Sequence, residues 1–289
     1  MDVNFFSVLA AAVLLALEFA CSKFYQSLEG VSVQAGLRYN AVSGGVSALI
    51  MWTLSGFRPE WTVFSVLLAL GMALCSTAYT LLCFRILNLG GMALYSTFLM
   101  CGGMLLPYIF GILFLGEAVT PLRTLGLTIV LAAVILSNFS KQAISSRLLM
   151  LCIAVFILNG LVSILSKCHQ ITGEYAAVSS AAFVMYSGIG RCLFSLAALV
   201  LRKQRTQVPS LKSKLSLWVI VGAAIISALS YLLQLNGARV LPASVLYPFI
   251  TGGSIIFSAI AGRVFFQEHT SRRQLRCVIL CIIGTLLFL

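Results

Sequence analysis

Glu18 lies well inside an apolar segment, whereas Glu29, Glu60, Glu117, Glu174 and Glu268 fall at segment ends or in connections. At ~1.5 Å per residue it sits roughly 20 Å along a helix that starts at Val3. A charge at that depth in hydrocarbon costs about 2.5 to 3.5 kcal/mol on insertion scales, so the side chain must face the interior of a bundle, with a partner or water. Two kinds of chemistry suit a carboxyl placed this way. It could neutralise a cationic group on a substrate, or carry a proton that leaves as the substrate enters. A structural pair with Lys23, Arg38 or Arg191 is the alternative.

Arg191 is the second charge within an apolar stretch, sixteen uncharged residues after Glu174 and ten before Arg202. It either snorkels to an interface or binds a carboxylate in a pocket. If Glu18 and Arg191 share one cavity, together they could clasp the ammonium and carboxylate of a zwitterion. Tyr79, Tyr95, Tyr186, Tyr231 and Tyr247 recur inside the apolar segments, where a ring face with a hydroxyl tip can hold an organic cation or an apolar group. Interfacial belts also recruit tyrosine. Asn159 and Gln234 offer hydrogen bonds either to a substrate or from helix to helix. Gly102, Gly103, Gly111, Gly252 and Gly253 permit close packing, and Pro107 and Pro248 mark bends that are either static or moving. Glu117 and Glu268, just ahead of two apolar segments, suit the positive N-termini of helices 5 and 10.

The elements that must position these groups follow from composition. The chain has 289 residues, 61% apolar and only 9% charged, which excludes an ordinary soluble domain. Division at charge clusters and turn residues gives ten segments of membrane-spanning size, at about 3–22, 36–54, 61–84, 92–115, 122–138, 148–166, 176–201, 215–236, 243–265 and 273–289. Helix is the expected form, because in hydrocarbon each amide must find its partner within its own segment. The fold class predicted is an all-α integral membrane bundle with no extramembrane domain. The N-terminal "MDVNFF" lacks a basic n-region, so the first segment is expected to be retained. Nine scattered cysteines form no CxxC motif and read as small apolar fillers. A net charge of +12 lies largely beside apolar segments and fits anionic headgroups better than nucleic acid. No HExxH, GxxxxGK[ST] or GxSxG motif is present, so neither an enzyme, a cofactor nor a metal site is expected.

The chain also repeats itself. "SKFYQ" at Ser22 to Gln26 recurs as "SKCHQ" at Ser166 to Gln170, and "LGE" at Leu115 to Glu117 has a counterpart in "FQE" at Phe266 to Glu268, offsets of 144 and 151 residues. Residues 1–140 and 141–289 are thus read as two five-helix repeats. Five is odd, so the second repeat enters the membrane from the opposite side, and a pocket between inverted repeats can open to either face. In the second half, Val162 takes the place of Glu18, so only one repeat supplies the acid. Arg58, Arg123, Lys167 and Arg239 fall on one side of this topology. Eleven basic residues in connections, from Arg85 to Arg273, fall on the other, which puts both termini outside the cell membrane.

These residues resemble the EamA-type branch of the drug/metabolite transporter superfamily over nearly the whole length. "LEFACSK" ending at Lys23, "LEG" at Leu28 to Gly30 and "LRY" at Leu37 to Tyr39 follow the family's order, with Glu18 where the family often has Asn. "CFRILNLG" and "NGARVLPAS" resemble its third-helix ending, and "LGEAVTPLRTLG" resembles its LGExxTxxQxxG pattern. The resemblance implies ten helices in two repeats around a central cavity, moving small metabolites without ATP. With the residues above, it points to a secondary transporter of a polar metabolite such as an amino acid or related amine, coupled to protons or working by exchange. The substrate-binding set expected is Glu18, Tyr79, Tyr95, Asn159, Arg191, Tyr231 and Tyr247, with Glu18 carrying the proton. Export of lipophilic or quaternary ammonium cations is the alternative within transport, and a channel is the alternative from another class. The expected partners are a small-molecule substrate and the bilayer, and the chain acts as a monomer or homodimer.

Overall fold

Local signals place the helix ends. Gly30 adopts φ +83°, a left-handed value that suits glycine, and its N–H returns to the Gln26 carbonyl at 2.9 Å, closing the first helix. The hydroxyls of Ser32 and Ser145 accept from the N–H groups of Ala35 and Leu148, at 3.1 and 3.2 Å, and open the second and sixth. Pro121 begins the fifth, where its missing N–H costs nothing. A computed structural model describes residues 3–57, 60–88, 92–138, 145–172, 177–203, 214–267 and 272–288. Its ten helices are α1 (Val3–Glu29), α2 (Val33–Leu54), α3 (Val63–Asn88), α4 (Met92–Leu115), α5 (Pro121–Asn138), α6 (Ser146–Ile171), α7 (Ser180–Lys203), α8 (Lys214–Val240), α9 (Ala243–Phe266) and α10 (Arg272–Leu286). Among the described residues there is no strand.

The all-helical expectation is met. Seven helices, α1, α3, α4, α6, α7, α8 and α9, are long and apolar enough to cross a membrane, which makes this a multi-pass membrane protein. The bundle turns apolar side chains outward as well as inward: Leu113, Phe114, Trp218 and Val264 are all widely exposed. α4 and α9 run on through Pro107 and Pro248.

Glycines set the closest crossings. A Cβ on Gly44 of α2 would stand 2.7 Å from the Gly188 carbonyl oxygen of α7, and a Cβ on Gly188 would stand 2.7 Å from that of Gly44. Gly44 also faces Cys192, while Gly188 faces Ala48, a register that makes α2 and α7 antiparallel. Gly126 of α5 and Gly284 of α10 meet in the same reciprocal way. In contrast, Leu99 with Asn159 and Gly103 with Ser163 advance together, so α4 and α6 run parallel. α1 packs between α8 and α9, and α6 between α3 and α4. These directions bring the α2–α3, α4–α5, α6–α7 and α8–α9 connections to one end of the bundle, along with the start of α1 and the end of α10. We call it the terminal end.

The turn from α8 into α9 departs from sequence expectation. α9 follows Pro242, which offers no side-chain cap. Glu117 supplies one from the α4–α5 connection, accepting the amides of Ala243 and Ser244 at 2.6 and 2.8 Å. The sequence assigns this carboxylate to its own following helix, α5. It serves α9 instead, because Gly116 at φ +64° reverses the chain and the Glu117 N–H folds back to the Gly111 carbonyl at 3.0 Å. On the other side of the turn, the buried Lys167 ammonium donates to the Ala238 and Leu241 carbonyls at 2.8 and 2.6 Å. Both ends left open by the two helices are thus met by charges from elsewhere. Glu268, expected to cap α10, lies outside the described residues, as does most of the basic stretch from Arg202 to Lys214.

Gly102→Ala would drive its methyl into the Phe156 backbone carbonyl. It should cost about 1–3 kcal/mol, seen as a lower melting temperature in detergent. Gly222→Ala, with nothing within 4 Å of the new carbon, should not lower it.

Candidate functional site

A cavity of about 290 Å³ lies at the centre of the bundle, walled by α1, α3, α4, α6, α7, α8 and α9. Six of the seven residues singled out in the sequence stand on its wall: Glu18, Tyr79, Asn159, Arg191, Tyr231 and Tyr247. Gln234 joins them, as does Val162, 144 residues after Glu18. Tyr95 stands apart, packed with Ile86 and Leu82 between α3, α4 and α6, with its hydroxyl hydrogen-bonded to Cys83. Tyr186 is also off the wall, donating to the Glu60 carbonyl at 2.9 Å near the terminal end.

Glu18 is placed halfway along α1, yet it stays partly exposed because it faces the cavity. Its carboxylate is hydrogen-bonded by Ser227 and feels Arg191 through space. Neither Lys23 nor Arg38 fills that role. The Lys23 ammonium instead lies 4.6 Å from the centre of the Phe266 ring, a cation–π contact at the end of α9. Arg191 likewise points into the cavity, and its field reaches Tyr79 and Tyr231 as well as Glu18. One acid and one guanidinium therefore face a shared space without a direct hydrogen bond between them among the described residues, an arrangement that leaves each able to meet a ligand charge.

The wall tyrosines offer rings more than hydroxyls. The Tyr247 hydroxyl donates to the Ser163 carbonyl at 2.6 Å. That of Tyr231 is shared with Ser166 and donates to the Met72 sulfur at 2.9 Å. Asn159 spends its amide N–H on the Leu99 carbonyl of α4 at 2.7 Å, tying two helices together. Its amide oxygen takes no part in that bond.

Seven hydroxyl residues on the wall escape the sequence reading: Ser76, Ser163, Ser187, Ser227, Ser230, Thr251 and Ser254. Serine on an apolar helix usually bonds back to its own turn, as Ser76 does to Ala73 at 2.9 Å and Ser187 to Val184 at 2.9 Å, so type alone does not mark it. The two sequence offsets, 144 and 151 residues, are the signal that finds some of them. Ser76 and Ser227 are 151 residues apart, as are Tyr79 and Ser230, Leu99 and Ile250, Met100 and Thr251, and Gly103 and Ser254. Leu15 and Asn159, Glu18 and Val162, and Phe19 and Ser163 are 144 apart, and all of these residues line the cavity. Among the described residues no group of three His, Cys, Asp or Glu side chains could hold a metal ion.

No family model matches the chain, and no curated protein matches it. A solved structure described only as "Crystal structure of protein" superposes with a TM-score of 0.75, covering 97% of both chains at 15% identity. At that identity the likeness concerns the fold alone.

If an organic cation enters the cavity, Tyr79→Ala should weaken its binding on the order of tenfold, by removing an aromatic face from the wall. Tyr95→Phe should leave the affinity unchanged. Titration of the purified protein in detergent with a panel of amino acids and amines checks both.

Proposed function

We propose that this protein is a secondary active transporter of a small polar metabolite, an amino acid or related amine, working by alternating access across the cell membrane. The observation that carries the reading is the pairing of Glu18 and Arg191 across one central cavity. Opposite charges held apart on a shared wall match the ends of a zwitterion. Each would regain, from the ligand, interactions that the apolar surroundings withhold.

The repeat supports the transport reading. α3, α4 and α5 begin at Val63, Met92 and Pro121, and α8, α9 and α10 begin 151 residues later, at Lys214, Ala243 and Arg272. Neighbour relations repeat as well: α1 with α8 and α9 mirrors α6 with α3 and α4, while α2 meets α7 and α5 meets α10. The antiparallel course of α2 and α7, and of α5 and α10, is what two repeats of opposite topology require. We read all ten helices as spans, with α2, α5 and α10 carried by packing against their counterparts, and the chain as EamA-like within the drug/metabolite transporters. A cavity walled by matching positions of both repeats can be exposed to either face as one repeat rocks on the other.

Size bears on the substrate. Pockets for drug-sized ligands run ~300 to 1,000 Å³, so a cavity of about 290 Å³ favours an amino acid or small amine over a bulky lipophilic cation. Glu18, hydrogen-bonded by Ser227, is the group assigned to proton coupling.

In proteoliposomes, Glu18→Gln and Arg191→Ala should each reduce zwitterion binding and uptake about 10- to 100-fold, the loss of a charge-assisted hydrogen bond. Quaternary amines should respond to Glu18→Gln alone if they enter at all. Unaltered uptake in both variants would overturn the assignment, and uptake that never saturates would point to a channel.

A further inference from the structure

The terminal end of the bundle is crossed by polar contacts that join the first five helices to the last five. Glu117, from the α4–α5 connection, holds the start of α9 through Ala243 and Ser244. The Ser65 hydroxyl at the start of α3 meets the buried His169 ring of α6 at 3.0 Å and takes the Val178 N–H at 3.2 Å. Glu60 accepts the Ser179 N–H at 3.2 Å and, through its carbonyl, the Tyr186 hydroxyl at 2.9 Å. His169 is itself stacked on Phe183, with ring centres 3.9 Å apart.

Just inside this layer stand Tyr231 and Tyr247. Their hydroxyls are bound to Ser166, Met72 and Ser163, so their rings form the floor of the cavity toward the terminal end. Between floor and surface sit Lys167 and the α8–α9 turn that it clasps.

We infer that this two-layered closure is a gate of the cavity, and that withdrawal of the Glu117 carboxylate from the start of α9 opens the cavity to the terminal face. The inference rests on the transport reading above. Three points carry it. The contacts cross between the repeats, so any rocking of one against the other must break them. They occur at several places along the terminal end, from Glu60 in the α2–α3 connection to the α8–α9 turn. And the element capped by Glu117, α9, supplies Tyr247, Ile250, Thr251 and Ser254 to the cavity wall, so freeing its first turn moves the floor directly. Glu117 therefore acts as a positioning residue, controlling access without touching the substrate.

Thiol labelling tests the gate without any knowledge of the substrate. In a background freed of the nine native cysteines, Thr251→Cys places a reporter on the cavity wall. A charged, membrane-impermeant methanethiosulfonate is applied to proteoliposomes whose C-terminal tag faces outward. Glu117→Gln should raise the labelling rate from that face by about tenfold, the population shift expected when a charge-assisted hydrogen bond weakens. A folded Glu117→Gln protein that melts earlier yet labels at the parent rate would make the contact a staple of the fold, and would overturn the gate.

A second arm uses Glu60→Cys with Ser179→Cys, joined by a disulfide across the two repeats. The oxidised protein should label several-fold more slowly than the reduced protein, reversibly on reduction. Equal rates overturn the gate even if Glu117→Gln does not fold. Labelling that follows the gate while no zwitterion is taken up would leave the gate standing and sink the substrate reading.

Discussion

A backbone amide or carbonyl at the end of a helix that never reaches water must be met by something else in the chain. Around the α8–α9 turn this requirement is acute, because Pro242 brings neither an N–H nor a capping side chain, and only Leu241 and Pro242 separate the helices. The solution uses full charges: a carboxylate on the amides of Ala243 and Ser244, and an ammonium on the carbonyls of Ala238 and Leu241. In a low-dielectric setting such bonds are stronger than neutral ones, and removing either partner strands the other. The turn's position fixes the start of α9, hence Tyr247 and Thr251, hence one side of the cavity. Electrostatics at a helix end thus sets the shape of a site more than one turn away.

The charges that remain are used sparingly. Lys167 and Glu117 are committed to backbone, and Lys23 to an aromatic face. Glu18, hydrogen-bonded by Ser227, and Arg191 both face the cavity. That division explains how a bundle this apolar can carry buried ions. Lys167 and Glu117 each make two hydrogen bonds to backbone, while Glu18 and Arg191 face the cavity, where a ligand can meet them.

Much of this was readable beforehand. The ten apolar runs correspond to ten helices, with differences at the ends: α1 extends to Glu29 rather than Ser22 because nothing before Gly30 breaks it, and α7 begins at Ser180, after the expected start at 176. Glu18 was legible because a carboxyl that deep in an apolar segment is costly unless it faces the bundle interior, whereas for Arg191 the sequence left an interface and a pocket equally open and only the cavity wall decides between them. Glu117 was legible as a helix cap but not as the cap of α9, since its partner lies 126 positions away and only the reversal at Gly116 selects it. Tyr95 was misjudged by one turn. Leu99, four residues on, reaches the wall, while Tyr95 packs against residues of α3 and α6. The serines were mute because a hydroxyl on an apolar helix costs little in either orientation.

The dependence of α9 on Glu117 also orders the protein's assembly in time. Chains leave the ribosome from the N-terminus, so the carboxylate has already been made, 125 residues earlier in the chain, when Pro242 emerges without a cap of its own. A segment carrying α9 but made without Glu117 would enter the bilayer with two bare amides at the head of that helix. The two halves are therefore bound by history as well as by packing, and a split gene for this protein would need its products to meet during insertion, before that helix settles.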